Sequence, residues 1–378
     1  MANFAFGTQR ISQYNPLHIQ ALKEAIKSGI NLIDTSSDYL DGSAHRAIAI
    51  AFREFEKKTV DNIKIVSKFS FQEDGDICKK LQLTLTELEV EKIDCFMVYN
   101  LEYYLVDAIT KGISRDNRLD GMNKIVYKVF LELENEIKNN TINSYGISSE
   151  NFSIEHSLDE FLPYEDLIAI ANLAAKDAGN KQNSFSTIEF PINIIEREGF
   201  KCASWAKNNG LRVLSTRALD AIYENKKYRL ADYDESSDYY HHLNNLLEVC
   251  DNDLLKSLYN LFDELDSSKH KFGSIDDYDR FLYTQAIGHI KEQVALIDAE
   301  NQETLITIVD AFLYEYRKMV ANECSKKTKN TLREYFKDCN LSMQECSLNF
   351  LKHQVNIDYI LVGMRKPSYV AEVLALSC

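Results

Sequence analysis

The 378-residue sequence predicts a (β/α)8 barrel with a large helical insertion between its seventh and eighth strands. Eight short β-branched runs recur along the chain, amphipathic segments separate most of them, and one interval is far too long for an ordinary connection. Strand–helix alternation calls for a parallel sheet, and eight units favour a closed barrel over an open doubly wound sheet. No Gly-x-Gly-x-x-Gly follows any run, which further disfavours an open dinucleotide-binding sheet.

The first run is Phe4 to Ile11, and Leu17 to Lys27 follows with apolar residues at helical spacing. Gly29 to Asp34 reads as the second strand and Ile63 to Lys68 as the third. Ile93 to Val98, Ser144 to Ser148, Ser186 to Pro191 and Leu211 to Ser215 continue the series, and Ile357 to Gly363 closes it. The barrel is therefore assigned to residues 1–219 and 346–378, and the insertion to residues 220–345. The insertion is helical in pattern throughout. Leu254, Leu255, Leu258, Leu261, Phe262 and Leu265 share one helix face, as do Leu305, Ile308, Val309, Phe312, Tyr316 and Met319. It reads as a structural cap, or as a lid or docking surface, because loops at the C-terminal ends of barrel strands build active sites.

Composition narrows the function classes. At 45% hydrophobic and 27% charged residues the chain can fill a full-sized core. A net charge of -15 argues against broad binding to nucleic acid or to an anionic membrane. No apolar run approaches the roughly 20 residues of a membrane span. Met1 to Gly7 lacks the pattern of a signal peptide, so a cytoplasmic protein is expected. The eight cysteines are dispersed without a Cys-x-x-Cys pair, which points to reduced thiols rather than to a disulfide framework or a zinc site. His241 and His242 are read as surface residues, because adjacent histidines face different sides of a helix and no ligand set surrounds them.

Three side chains fall at the C-terminal ends of consecutive strands: Asp34, Lys68 and Tyr99, with Tyr39 just past Asp34. In a barrel these ends converge on one mouth. A free tyrosine, with a pKa of about 10, is a poor acid at neutral pH. A neighbouring ammonium favours the phenolate and is expected to lower that value, while a carboxylate holds the ammonium charged. Such a tyrosine can give a proton to a carbonyl oxygen.

With these residues in place, the chain resembles the aldo-keto reductases over residues 1 to about 220 and about 346 to 378. Gly29 to Tyr39 is similar to that family's second strand and turn, with Asp34 and Tyr39 five apart, and Val66-Ser67-Lys68 to its third-strand lysine. Ser144 to Ser148 is similar to its Gly-Val-Ser segment, Glu189 to Asn193 and Leu214 to Leu219 to later strand ends, and Ile360 to Pro367 to its C-terminal phosphate-binding segment. The resemblance implies a (β/α)8 barrel that reduces aldehydes or ketones with NADP(H). It implies catalytic roles for Asp34, Tyr39, Lys68 and Tyr99, the last standing where most members have histidine. A tyrosine hydroxyl still donates a hydrogen bond but carries no positive charge near neutral pH. It also implies cofactor positions at Ser148, Ser149, Glu189, Ser215, Arg217, Leu219, Gly363, Arg365, Lys366 and Glu372. Two of these depart from the family, since Ser149 stands for asparagine and Glu189 for glutamine. Tyr369, Val373 and His45 are further departures, His45 near the mouth. No metal is implied.

The expected function is an NADP(H)-dependent oxidoreductase acting on a small aldehyde or ketone, with Tyr39 as proton donor. The alternative is a weak or inactive nicotinamide-cofactor-binding regulatory subunit. It would meet a partner protein, or a second copy of itself, through the insertion.

Overall fold

The computed structural model describes residues 1–72 and 75–376, so Ser377 and Cys378 of the expected barrel segment lie outside the described residues. The chain divides into two compact units, Met1–Leu219 with Ser347–Cys378, and Asp220–Cys346.

The first unit is a closed parallel barrel. Its strands are β1 (Asn3–Gly7), β2 (Leu32–Ser36), β3 (Lys64–Ser70), β4 (Cys95–Tyr99), β5 (Tyr145–Ser148), β6 (Phe185–Pro191) and β7 (Arg212–Thr216). The eighth staves the gap between β7 and β1 and spans Tyr359–Val362. Each strand is buried on both faces, which is why the runs read as nearly continuous apolar stretches. Ala5, Leu32, Val66, Cys95, Met97, Leu214, Tyr359 and Leu361 form one cluster of the core. The much larger cluster between strands and helices includes Phe6, Ile33, Phe96, Ile147 and Ile188. Fully burying one such side chain contributes roughly 1.5–3 kcal/mol.

The second strand begins three residues later than the sequence predicts. Gly29 belongs to the end of the preceding helix Pro16–Lys27, where it adopts φ +91°. Its N–H donates to the Ile26 carbonyl at 3.1 Å, and that of Ile30 to the Ala25 carbonyl at 3.0 Å. This left-handed closure satisfies the helix's last carbonyls before the chain turns into β2. The first strand is also shorter than expected, ending at Gly7 rather than Ile11.

Gly146 marks the tightest approach in the sheet, at a register shift between β5 and β6. An added Cβ would lie 2.3 Å from the Thr187 carbonyl oxygen and 3.0 Å from Met97 Cε. Gly146→Ala is expected to destabilise the protein by about 1–3 kcal/mol, because the clash is with backbone. Urea unfolding measures this, and an unchanged midpoint would contradict it.

The second unit departs from its helical expectation at its start. Residues Asp220–Tyr223 and Lys226–Arg229 form an antiparallel hairpin, β8 and β9, so the barrel's last strand is β10. Glu224 and Asn225 turn it with φ of 49° and 60°, the paired positive values of a two-residue hairpin turn. Helices follow, including Tyr239–Cys250, Lys256–Ser268 and Ala299–Thr331. Leu258, Phe262, Leu265, Leu305, Val309, Phe312, Tyr316 and Met319 share one core, while Leu254 precedes its helix and is exposed. Cys339 and Cys346 are joined as a disulfide, their Cα atoms 6.2 Å apart. This corrects the expectation of reduced thiols at that pair, which the turn between two helices brings together. His241 and His242 lie on the helix Tyr239–Cys250 with their rings 5.3 Å apart. No helix among the described residues is long and apolar enough to cross a membrane.

Candidate active site

Alternation along β2, β3 and β6 brings Asp34, Lys68 and Glu189 together at the strands' C-terminal ends. The Lys68 Nζ donates to Asp34 Oδ1 at 2.5 Å and to both Glu189 oxygens, at 2.8 and 3.0 Å. All three side chains are almost wholly buried. Ser148 at the end of β5 donates to Glu189 Oε1 at 2.9 Å.

One ammonium therefore serves two carboxylates in a dry site. Burial opposes the charge on Lys68, but Asp34 and Glu189 outweigh it and hold the lysine well above its ordinary range. The Asp34 carboxyl is pushed up to about 8, by burial and then by the Glu189 charge, which together overcome the attraction of Lys68. Near neutral pH the cluster therefore balances as an ion pair plus a carboxylic acid.

Tyr39 stands over this cluster, its ring centre 5.7 Å from the Lys68 Nζ. The lysine's charge and a hydrogen bond between the two groups lower the phenol's pKa. Burial, Asp34 and Glu189 raise it by more, so the net displacement is upward. Lys68 thus acts in the expected direction, but burial, and after it the Asp34 and Glu189 charges, outweigh it.

Tyr99 lies at the end of β4, where its hydroxyl donates to the Asp38 carboxylate. Burial and then that acceptor push its pKa up. In this arrangement the Tyr99 proton is turned toward the Asp38 carboxylate rather than held free for a substrate oxygen. Asp38 was not singled out from the sequence, although its place one residue before Tyr39 in the turn was the available signal.

The expected cofactor positions fall into separate groups. Ser149 is buried, donates to Glu102 Oε2 at 2.9 Å and accepts from the Asn151 N–H at 3.1 Å. Glu102, also unforeseen, has its carboxyl raised chiefly by burial. Ser215 is buried and donates to the Ile192 carbonyl at 2.8 Å, which ties the end of β7 to the loop after β6. Arg217, at φ 54°, reaches Glu150 Oε2 at 2.9 Å and Glu196 Oε1 at 2.5 Å, tying the loops after β5, β6 and β7. Leu219 packs against the barrel core.

Gly363, Arg365 and Lys366 are exposed at the exit of β10 and lead into the helix Pro367–Ala375, which carries Glu372 on its exposed side. The Lys366 Nζ lies 5.8 Å from the Tyr369 ring centre. His18, lowered by burial and then by the Arg365 charge, places that guanidinium beside the helix Pro16–Lys27. His45 is fully buried on the helix Ser43–Phe52, with Nδ1 3.0 Å from Glu87 Oε2 and Nε2 3.1 Å from Ser67 Oγ. Among the described residues no group of His, Cys, Asp and Glu could hold a metal ion.

The donor set suits a nicotinamide nucleotide at both ends. Arg365 and Lys366 beside a helix N-terminus present positive charge to phosphate. Glu189 accepts from Lys68 and Ser148 and presents an acceptor, rather than a donor, where an amide would lie.

Comparison with known proteins adds the following. The model of the Aldo/keto reductase family matches residues 3–377. No curated protein matches the chain at the sequence level. A solved aldo/keto reductase from Klebsiella pneumoniae, in complex with NADP and acetate, is similar at 11% identity, covering 99% of this chain and 86% of that one, with a TM-score of 0.46. A glycerol dehydrogenase from Gluconobacter oxydans is similar at 15% identity over 98% of this chain and 84% of that one, with a TM-score of 0.47.

Proposed function

Because the chain belongs to the aldo/keto reductase family, we propose that it is an NADP(H)-dependent oxidoreductase that reduces a small aldehyde or ketone. The observation that carries this reading is Lys68 beneath the Tyr39 ring, locked to Asp34 in a buried cluster at the strand ends.

When bound, the reduced nucleotide supplies hydride. Arg365, Lys366 and the N-terminus of the helix Pro367–Ala375 would hold its phosphates, and Ser148 and Glu189 would face its carboxamide. Tyr39 gives its proton to the carbonyl oxygen as charge develops there, and Lys68 stabilises the phenolate left behind. Asp34 keeps the ammonium in place. Tyr99 orients the carbonyl only when its hydroxyl turns away from Asp38.

A second reading has its own observations. The raised Tyr39 phenol, the capture of the Tyr99 proton by Asp38 and the pairing of Glu189 with Lys68 all favour slow chemistry. The barrel is then a nicotinamide-binding regulatory subunit, and its carboxylate-rich unit Asp220–Cys346 meets a partner protein or a second copy.

Two measurements separate these readings: NADPH oxidation with a panel of small aldehydes and ketones, and nucleotide binding followed by quenching of the single tryptophan. Binding with turnover is expected. Binding without turnover selects the regulatory reading, and no binding at all rejects both.

A further inference from the structure

We propose that Glu189 makes this barrel selective for the oxidised, pyridinium form of its nicotinamide nucleotide over the reduced form, by placing a second carboxylate on the Lys68 ammonium. The inference rests on the nucleotide-binding reading above and names the redox state that the same site prefers.

Lys68 supplies one positive charge, and Asp34 and Glu189 supply two carboxyl groups, all within 3.0 Å of its Nζ. With a single carboxylate the cluster is neutral, whatever ring lies over it. With both carboxylates ionised it carries one unmatched negative charge. A pyridinium ring bears a positive charge and a dihydropyridine ring bears none, so only the oxidised form gains from that excess. The cluster is nearly inaccessible to water, and screening there is weak.

Protonation sharpens the preference. Free of nucleotide, the cluster relieves its excess charge by keeping a proton on Asp34, whose carboxyl is raised to about 8 chiefly by burial. An arriving cation favours the ionised carboxyl, so binding of the oxidised form expels this proton and strengthens as pH rises. Binding of the neutral ring does not. The groups facing Asp34 are Lys68 from β3, Glu189 from β6 and Tyr39 from the loop after β2. Opposite it β1 offers Gly7, and β5 brings Ser148 to Glu189, neither of which titrates. Tyr99 and Asp38 lie farther out and are bonded to each other.

The test is the ratio of dissociation constants, NADPH over NADP+, for the full-length protein and for Glu189→Gln between pH 6 and 9. Nucleotide phosphates are common to both ligands and cancel in the ratio. In the unaltered protein the ratio is expected to rise with pH. In Glu189→Gln it should fall by at least about tenfold at pH 8 and lose its pH dependence, as removal of a unit charge at close range implies. A ratio that the substitution leaves unchanged, or one that is flat with pH in the unaltered protein, overturns the proposal. The second result needs no variant, so a misfolded Glu189→Gln does not protect the idea. Failure of both nucleotides to bind the unaltered protein overturns the nucleotide-binding reading itself, and the inference falls with it.

Discussion

Tyr39→Phe abolishes carbonyl reduction while leaving nucleotide affinity within about threefold, if Tyr39 is the proton donor. Only the hydroxyl is removed, and the ring that stands over Lys68 is kept. The expected loss is roughly 10²–10⁴-fold in kcat, the usual contribution of a positioned general acid. Among the described residues no neighbour of Tyr39 is placed to replace it. Tyr99 donates to Asp38, and the proton held on Asp34 is bonded within the ion-pair cluster. Because burial and the two carboxylates raise the Tyr39 phenol, it is a weaker acid than one facing an unshared lysine. Glu189→Gln should therefore speed proton donation even as it alters nucleotide preference. Single-turnover measurements with reduced nucleotide separate the chemical step from binding. Full activity in Tyr39→Phe would reassign the proton to another group.

The barrel was legible because its signal is local and repeated. Runs such as Ile65-Val66 and Phe96-Met97-Val98 are buried on both sides, so each announces a strand without reference to the others. Boundaries were less legible. Gly29 looks like the first residue of a strand but is fixed by two hydrogen bonds made backward into a helix. The hairpin Asp220–Arg229 was missed because its turn uses Glu224 and Asn225 at positive φ, where glycine would have marked it.

The candidate site was legible along the chain but not across it. Asp34, Lys68 and Tyr39 come from neighbouring strands, and their order alone places them at one end of the barrel. Glu189 lies 121 residues beyond Lys68 and reaches it only through closure of the barrel. Sequence order gives no measure of that distance. Glu189 is therefore a member of the ion-pair cluster, and its charge adds to the burial and the Asp34 charge that raise the Tyr39 phenol. The positions Ser149, Ser215 and Arg217 show a related limit. Each has a polar side chain that could contact a ligand, yet each is engaged by a partner within the protein that only the folded paths of the chain reveal.

Lys68→Met removes the only positive charge in the cluster and tests whether the site is also a structural element. Two buried carboxyl groups then face each other with no cation between them. Breaking a buried pair by deleting one partner costs about 3–5 kcal/mol, because a desolvated charge is left uncompensated. The loss should depend on pH, and its sign follows from linkage. Asp34 in the intact protein already titrates at about 8, above its ordinary value near 3.9. A carboxyl raised on folding contributes stability that is fully present below its unfolded pKa and is lost as pH rises through its folded value. Without Lys68 the attraction that opposes this rise is gone, so the folded value climbs above 8 and the loss runs on to higher pH, where that of the intact protein has already ended. Lys68→Met should therefore lie closer to the intact protein in stability at pH 7 and fall well below it at pH 10. Lys68→Met combined with Glu189→Gln should recover part of the deficit, since one of the two unpaired carboxyls is then neutral at every pH. Urea unfolding at the two pH values reads both effects. An equal loss at pH 7 and pH 10 would mean that Lys68 acts through packing of its alkyl chain rather than through the charge it shares between Asp34 and Glu189.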